Sequence, residues 1–400
     1  MVDAGDDAHT IGRRLRRIRK ARDKSLVVIA GLSGMSIATL SRIENGLRAL
    51  DSRSEIVALA NALQVAPSEL TKMDVPAPGD GVTDMAVEAV RAAFMAVDHD
   101  NPGGEILPVE TLRTRVLAIL DARCRYDRQA EAAAVLPSLI RDLHTSIRAG
   151  RDVAELLDLA VLLHTQGTGA WLRAVGGPLD LRRDAARLAR QAAHERDTAT
   201  ARGIATVGTV GMMLASGNFD LAVGELDSVA VPTNSSESAQ LTGMLALSRS
   251  LVAAAEKRSA DVDAALEHAG DLAHHTGEGN AYWMGFGPTN VGQWRMAVAL
   301  EVRDYEKAAA IAESLDPDVH PNLPRRAVYW VDYGRALTRL RGRQDHAVMA
   351  LRRAEKMSPH HLLRNAYVPD VLAELLARRP QRDGLGVELR GMAHRAGLPV

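Results

Sequence analysis

The sequence predicts an all-α protein, a small helical head followed by a long helical array, and three observations carry that prediction. Aromatic residues number only 13 of 400, so the aromatic stock typical of sheets is scarce. Ala, Leu and Arg are abundant, and these are strong helix formers. Apolar residues recur at spacings of three and four, as in Val116-Leu117-Leu120, Leu156-Leu157-Leu163 and Leu245-Leu247-Leu251, between Gly, Asp and Asn breaks.

The head is set apart by charge. Net charge over the chain is −1, but residues 10–72 hold twelve Lys/Arg against five Asp/Glu, a balance of +7. Seven of those cations fall between Arg13 and Arg22, on a helix whose apolar stripe is Ile11, Leu15 and Ile18. From Ser25 the chain reads as a short helix, a turn and a second helix. Ser25 and Ser36 stand where N-caps stand, and Gly34 fits a left-handed turn residue. Small Ala30 lets the two helices cross, with Leu40 and Ile43 between them. Ser52-Arg53-Ser54-Glu55 reads as a capping box opening a helix whose buried face is Ile56, Leu59, Ala60 and Leu63. Val65, Pro67 and Leu70 predict a short fifth helix.

These positions resemble the lambda-repressor-like helix-turn-helix domain of the xenobiotic-response-element (XRE) family of regulators. The match runs through Leu15 and Arg19, Ala30, Gly34, Ser36, Leu40, Ile43-Glu44-Asn45-Gly46 and Leu59-Ala60. The resemblance implies that the helix after Ser36 enters the major groove of double-stranded DNA. It places Ile37, Ala38 and Arg42 on base edges, with Thr39 and Ser41 as weaker contacts, and Ser25, Asn45 and Arg48 on phosphates. Ile37 and Ala38 suit thymine methyls, and Arg42 suits guanine. Arg19 and Glu44 resemble the family's internal ion pair. Two departures stand out: Leu26 replaces a phosphate-gripping glutamine, and Arg53 occupies an apolar position from which it would reach phosphate. One such domain contacts only a half-site, so a homodimer on an inverted-repeat operator is expected.

Prolines and glycines in the MDVPAPGDGVTD stretch mark residues 73–83 as a linker, and residues 84–400 as a second, helical domain. GNFDLAV, ADVDAAL, RDYEKAA and GRQDHAV place alanines at 222, 265, 308 and 347, spaced by 43, 43 and 39 residues. The pattern resembles tetratricopeptide repeats, whose helix pairs stack into a superhelix with a concave inner face. FGPTNV is also similar to the matching region of actinobacterial XRE regulators with tetratricopeptide-like C-terminal domains. Eight of the 13 aromatics lie between Tyr282 and Tyr333, and residues 279–294 carry no charge. Tyr282, Trp283, Phe286, Trp294, Tyr329 and Tyr333 therefore read as candidate pocket walls, with Asn290 and Gln293 as polar contacts for a small-molecule or peptide effector. The alternative is a DNA-tethered scaffold whose array docks a partner protein and takes no small ligand.

Other classes find no support. A single cysteine, Cys124, excludes an internal disulfide framework and points to a reducing cytoplasm. The arginines at 123, 125 and 128 would lower its thiol pKa. No apolar block near the N-terminus reads as a signal peptide. The longest uncharged stretch, Gly203 to Phe219, is 17 residues with four glycines, too short and polar to span a bilayer. His274-His275 and His360-His361 diverge on helices without ligand partners and read as solvated surface. No phosphate loop, GxSxG elbow or HExxH occurs, so no catalytic residue, metal or cofactor is expected.

Overall fold

The computed structural model describes residues 10–71, 81–379 and 383–398. The linker expected at 73–83 lies outside the described residues up to position 80. Among the described residues no strand forms, apart from an isolated antiparallel bridge between Gly279 and Phe286. No single helix among them is long and apolar enough to cross a membrane.

Five helices build the head: α1 (Ile11–Ala21), α2 (Leu26–Ser33), α3 (Ile37–Glu44), α4 (Arg53–Leu63) and α5 (Pro67–Thr71). Ile11, Leu15, Ile29, Leu40, Ile43, Ile56, Leu59 and Leu63 close a core with at most 3% exposure. Gly12 is needed there, because a Cβ would stand 2.1 Å from the Ile43 carbonyl oxygen and push α1 off α3.

The array opens with α6 (Gly81–Asp98), α7 (Val109–Tyr126), α8 (Gln129–Arg148) and α9 (Val153–Leu162). A π-helical segment, Leu163–Gly169, leads into α10 (Ala170–Ala174), followed by α11 (Leu179–Arg196). Four helix hairpins follow. They pair α12 (Ala199–Ser216) with α13 (Phe219–Asp227), α14 (Ser236–Ala255) with α15 (Ser259–Thr276), α16 (Pro288–Glu301) with α17 (Tyr305–Glu313), and α18 (Leu323–Arg339) with α19 (Gln344–Met357). Ala222, Ala265, Ala308 and Ala347, the repeated alanines, are buried in the second helix of each pair, where a small side chain permits close crossing. The chain ends with α20 (Pro359–Leu363), α21 (Val368–Arg378) and α22 (Gly384–Arg395).

The array returns on itself. Helix α18 packs against α7, His361 of α20 lies 3.9 Å from Asp127 at the end of α7, and Arg364 covers Gly176 between α10 and α11.

Carboxylates of the array hold the head. The capping box expected at Ser52 does not form: Ser52 makes no side-chain cap bond to its own helix. Glu301 of α16 caps α4 instead, accepting from the Arg53 and Ser54 amides at 3.1 and 2.9 Å and from the Ser52 hydroxyl at 2.9 Å. A charged acceptor outcompetes a hydroxyl for free helix N–H groups. Glu55, freed from the box, binds Arg48 and Arg303. Arg53, expected to reach phosphate, pairs with Glu301 at 3.3 Å and so faces the array. On α21, Asp370 accepts the Ile11 and Gly12 amides at the start of α1, at 2.8 and 3.2 Å. Glu374 accepts from the Ala49 amide, and Arg339 bridges Glu374, Asp51 and the Ala49 carbonyl. A cleft of about 350 Å³ opens along this seam, lined by Arg48, Val302, Arg303, Tyr305 and Arg339.

Glu301→Ala should cost about 2 kcal/mol of stability, because it strands buried donors at the start of α4. A denaturant midpoint within experimental error of the parent would contradict the capping role. Burial raises the Asp370 pKa from 3.8 to about 6, against the pull of the Ile11 amide, Arg14 and the Gly12 amide. Folding therefore raises proton affinity, so the residue's contribution to stability is full below pH 3.8 and is lost as pH rises through about 6. Melting temperatures of the parent and Asp370→Asn should converge or cross across that window, and parallel profiles would rule the shift out.

Candidate nucleic-acid interface

The head's second and third helices are placed by local chemistry. Ser25 caps α2 by accepting the Val28 amide at 3.3 Å, and Ser36 caps α3 by accepting the Thr39 amide at 3.1 Å. Gly34 takes φ +70°, a left-handed turn that a β-carbon would strain. Across it the axes of α2 and α3 turn by 113°, within the range of a helix-turn-helix crossing.

Arg19 of α1 sets the tilt of α3. Its guanidinium makes a two-pronged pair with Glu44, at 2.6 and 2.7 Å, and donates to the Lys24 carbonyl. The Glu44 hydrogen bond is the main reason the Arg19 pKa is raised. With α3 so fixed, Ser36, Ile37, Ala38, Arg42 and Asn45 are exposed and Thr39 and Ser41 half-buried. Ile37 is 46% exposed, which for an isoleucine at the start of a helix leaves an apolar face open for contact. Asn45 donates to the Ser41 carbonyl and accepts from Arg16 at 3.4 Å, joining the basic helix to the end of α3. Sequence reasoning had not singled out Arg16, because a run of seven cations does not reveal which of them faces α3. Arg13, Lys20 and Arg22 are exposed, while Arg14 turns inward to the Leu70 carbonyl. Ser25 is exposed beside half-buried Leu26. Arg48 lies on the seam, bound to Glu55 at 2.9 Å.

A recognition helix presented by a capped, crossed helix pair and flanked by exposed cations defines a helix-turn-helix DNA-binding regulator. Residues 10–73 match the helix-turn-helix domain family. No curated protein and no solved structure matches the chain.

The effector candidates fall into two groups. Tyr282, Trp283, Phe286 and Trp294 belong with the larger core, whereas Tyr329 and Tyr333 belong with the C-terminal one. Phe286 is 1% exposed and fills the space over Gly243. Tyr329 is buried, its hydroxyl donating to the Ala312 carbonyl, and Tyr333 donates to Glu313. Tyr282 and Trp283 both adopt left-handed backbone, at φ +54° and +56°. That strain is held in place by Trp283, whose ring nitrogen donates to Asp121 and whose carbonyl accepts from Asn322. Asn290 and Gln293 sit inside the array, and Asn290 Oδ1 and both Gln293 amide atoms find no hydrogen-bond partner among the described residues.

Two further expectations are corrected. Cys124 is buried, and desolvation raises its thiol pKa, outweighing the nearby guanidiniums. His361 is no surface residue: it donates to or accepts from Ser358 at 2.8 Å, and desolvation followed by Arg123 and Arg173 lowers its pKa to about 3. The sequence also held no signal for His144 and His164, whose ring nitrogens meet at 2.8 Å where the π-helical turn crosses α8. Among the described residues no group of three His, Cys, Asp or Glu is placed to hold a metal.

Glu44→Gln should destabilise the protein by about 1–3 kcal/mol, since it leaves Arg19 half-paired in a poorly solvated site. Unfolding in denaturant measures this, and the loss should persist at high salt because the pair is 13% and 5% exposed. A loss erased by salt would mean the pair is a surface contact.

Proposed function

We propose that the chain is a sequence-specific transcriptional regulator of the XRE type, whose operator binding is controlled by a small molecule or peptide held in a tetratricopeptide-like C-terminal domain. The reading divides the chain at the linker, into residues 10–72 and 84–400. The observation that carries it is the arrangement of the head: the seam with the array engages the starts of α1 and α4, while the N-terminal part of α3 stays open. DNA and array can then hold the head together, so a shift in the array moves the recognition helix.

In this reading Ile37, Ala38 and Arg42 read base edges, helped by Thr39 and Ser41. Ser25, Ser36 and Asn45 with Arg16 position the phosphates. Arg48 acts through the seam. Two copies bind an inverted repeat, with recognition helices one turn, about 34 Å, apart. The unpartnered Asn290 oxygen and the Gln293 amide are the polar contacts of the effector site.

Selection of genomic fragments by the purified protein at physiological salt should return a palindromic site. Against that site Arg42→Ala should lose about 1–3 kcal/mol, concentrated at one base pair. Equal losses on every sequence would refute base reading by Arg42. Salt-sensitive binding with no preferred sequence would leave the head a non-reading anchor and favour a scaffold.

A further inference from the structure

Four arginines from four helices come within electrostatic reach of one another around Arg173: Arg123 at the end of α7, Arg173 in α10, Arg182 at the start of α11 and Arg325 at the start of α18. Arg123 is buried, and Arg182 and Arg325 are half-buried. Many other arginines of this chain meet carboxylates, as Arg335 meets Asp332 at 2.7 Å and Arg379 meets Asp383. Among the described residues these four form no ion pair. The Nε atoms of Arg123 and Arg182 are buried without any hydrogen-bond partner. Arg123 finds only the Cys124 sulfur, and Arg325 lies over the Trp294 ring, 5.4 Å from its centre. Arg173 itself is exposed to solvent. Its guanidinium points at Gly211 of α12, where a Cβ would stand 3.7 Å away.

The electrostatics agree with this geometry. Desolvation, then Arg123, Arg182 and Arg325, bring the Arg173 pKa down to about 9. Desolvation lowers Arg182 and Arg325 as well. Two carboxylates lie near. Asp127 beside His361 is engaged with Gln129, its pKa raised by burial, and Asp332 is committed to Arg335. A surplus of positive charge therefore remains on guanidiniums that packing desolvates in part, which is unfavourable until an anion joins them. Guanidinium groups match the planar or tetrahedral oxygens of carboxylate and phosphate with paired hydrogen bonds.

Hydrogen-bonding groups continue from the cluster. Trp294, under Arg325, is one helical turn from Asn290, which is wholly buried with an unpartnered oxygen, and next to Gln293, whose amide is unpartnered at both ends. We propose that Arg123, Arg173, Arg182 and Arg325 form a binding site for a small organic anion, bearing a phosphate or more than one carboxylate, with Asn290 and Gln293 receiving its neutral polar part. The inference rests on the effector-controlled reading above and names its ligand class. It also supplies a route to the head. Arg182 lies within electrostatic reach of Tyr367, which packs on the head's core and sits 5.0 Å beneath the Arg335 guanidinium.

Calorimetric titration and thermal melting of the full chain, with sodium pyrophosphate and separately with citrate at constant ionic strength, test the site. Saturable binding with a raised melting temperature is expected, and Arg173→Gln and Arg325→Gln should each weaken it at least roughly tenfold. Without anion, each variant should melt at or above the parent temperature, because one like charge is gone; a destabilised variant thus leaves the other to decide. Response to pyrophosphate alone identifies a phosphate ligand, and to citrate alone a carboxylate ligand. Absence of saturable binding to both, or binding undiminished in both variants, overturns the site. Operator affinity is measured in parallel: saturable binding that leaves operator affinity unchanged upholds the anion site and removes the effector reading.

Discussion

Three carboxylates of the array, on Glu301, Asp370 and Glu374, hold backbone N–H groups of the head, and the rest of the molecule depends on that arrangement. The first turn of any helix leaves donors without intrahelical partners. In this protein α4 takes its cap from α16, and α1 combines the Thr10 hydroxyl with Asp370 of α21. The head is therefore oriented by the array through backbone groups as well as by side-chain packing, and its remaining free surface is the one carrying α3. Arg335 and Arg339 complete the seam by binding the Asp51 and Ala49 carbonyls, so removing any one member strands charged partners.

The arginine cluster of the array follows the opposite rule. At the seam every carboxylate has donors. Around Arg173, four guanidiniums gather with little counter-charge, and Asn290 and Gln293 carry buried amide atoms without partners. Tyr367 lies between the two regions, packed on the head and close to both Arg182 and Arg335. A change in charge at the cluster is thus separated from the head by the Tyr367 side chain.

Much of the head was legible residue by residue. Ser25, Ser36 and Gly34 act within three or four residues of themselves, and short-range hydrogen bonds and backbone sterics repeat in every context. The Arg19–Glu44 pair was legible through family resemblance. The repeated alanines were legible in the array because close helix crossings require small residues at regular intervals. Ser52 misled because its local capping pattern was sound, yet a distant carboxylate was the stronger acceptor. Cys124 and His361 misled for a related reason. Charged neighbours in sequence say nothing about desolvation, which decided both pKa values.

By itself the sequence determined the all-helical class, the helix-turn-helix head and the hairpin periodicity of the array, since these follow from propensity, capping and spacing over short distances. Only the tertiary structure decided that Glu301, Asp370 and Glu374 hold the head, that Arg48 and Arg53 face the seam, and that Arg123, Arg173, Arg182 and Arg325 come within electrostatic reach of one another. Those outcomes depend on which helices meet after hundreds of intervening residues. Burial then fixes the strength of each charge, and burial belongs to the packed chain as a whole.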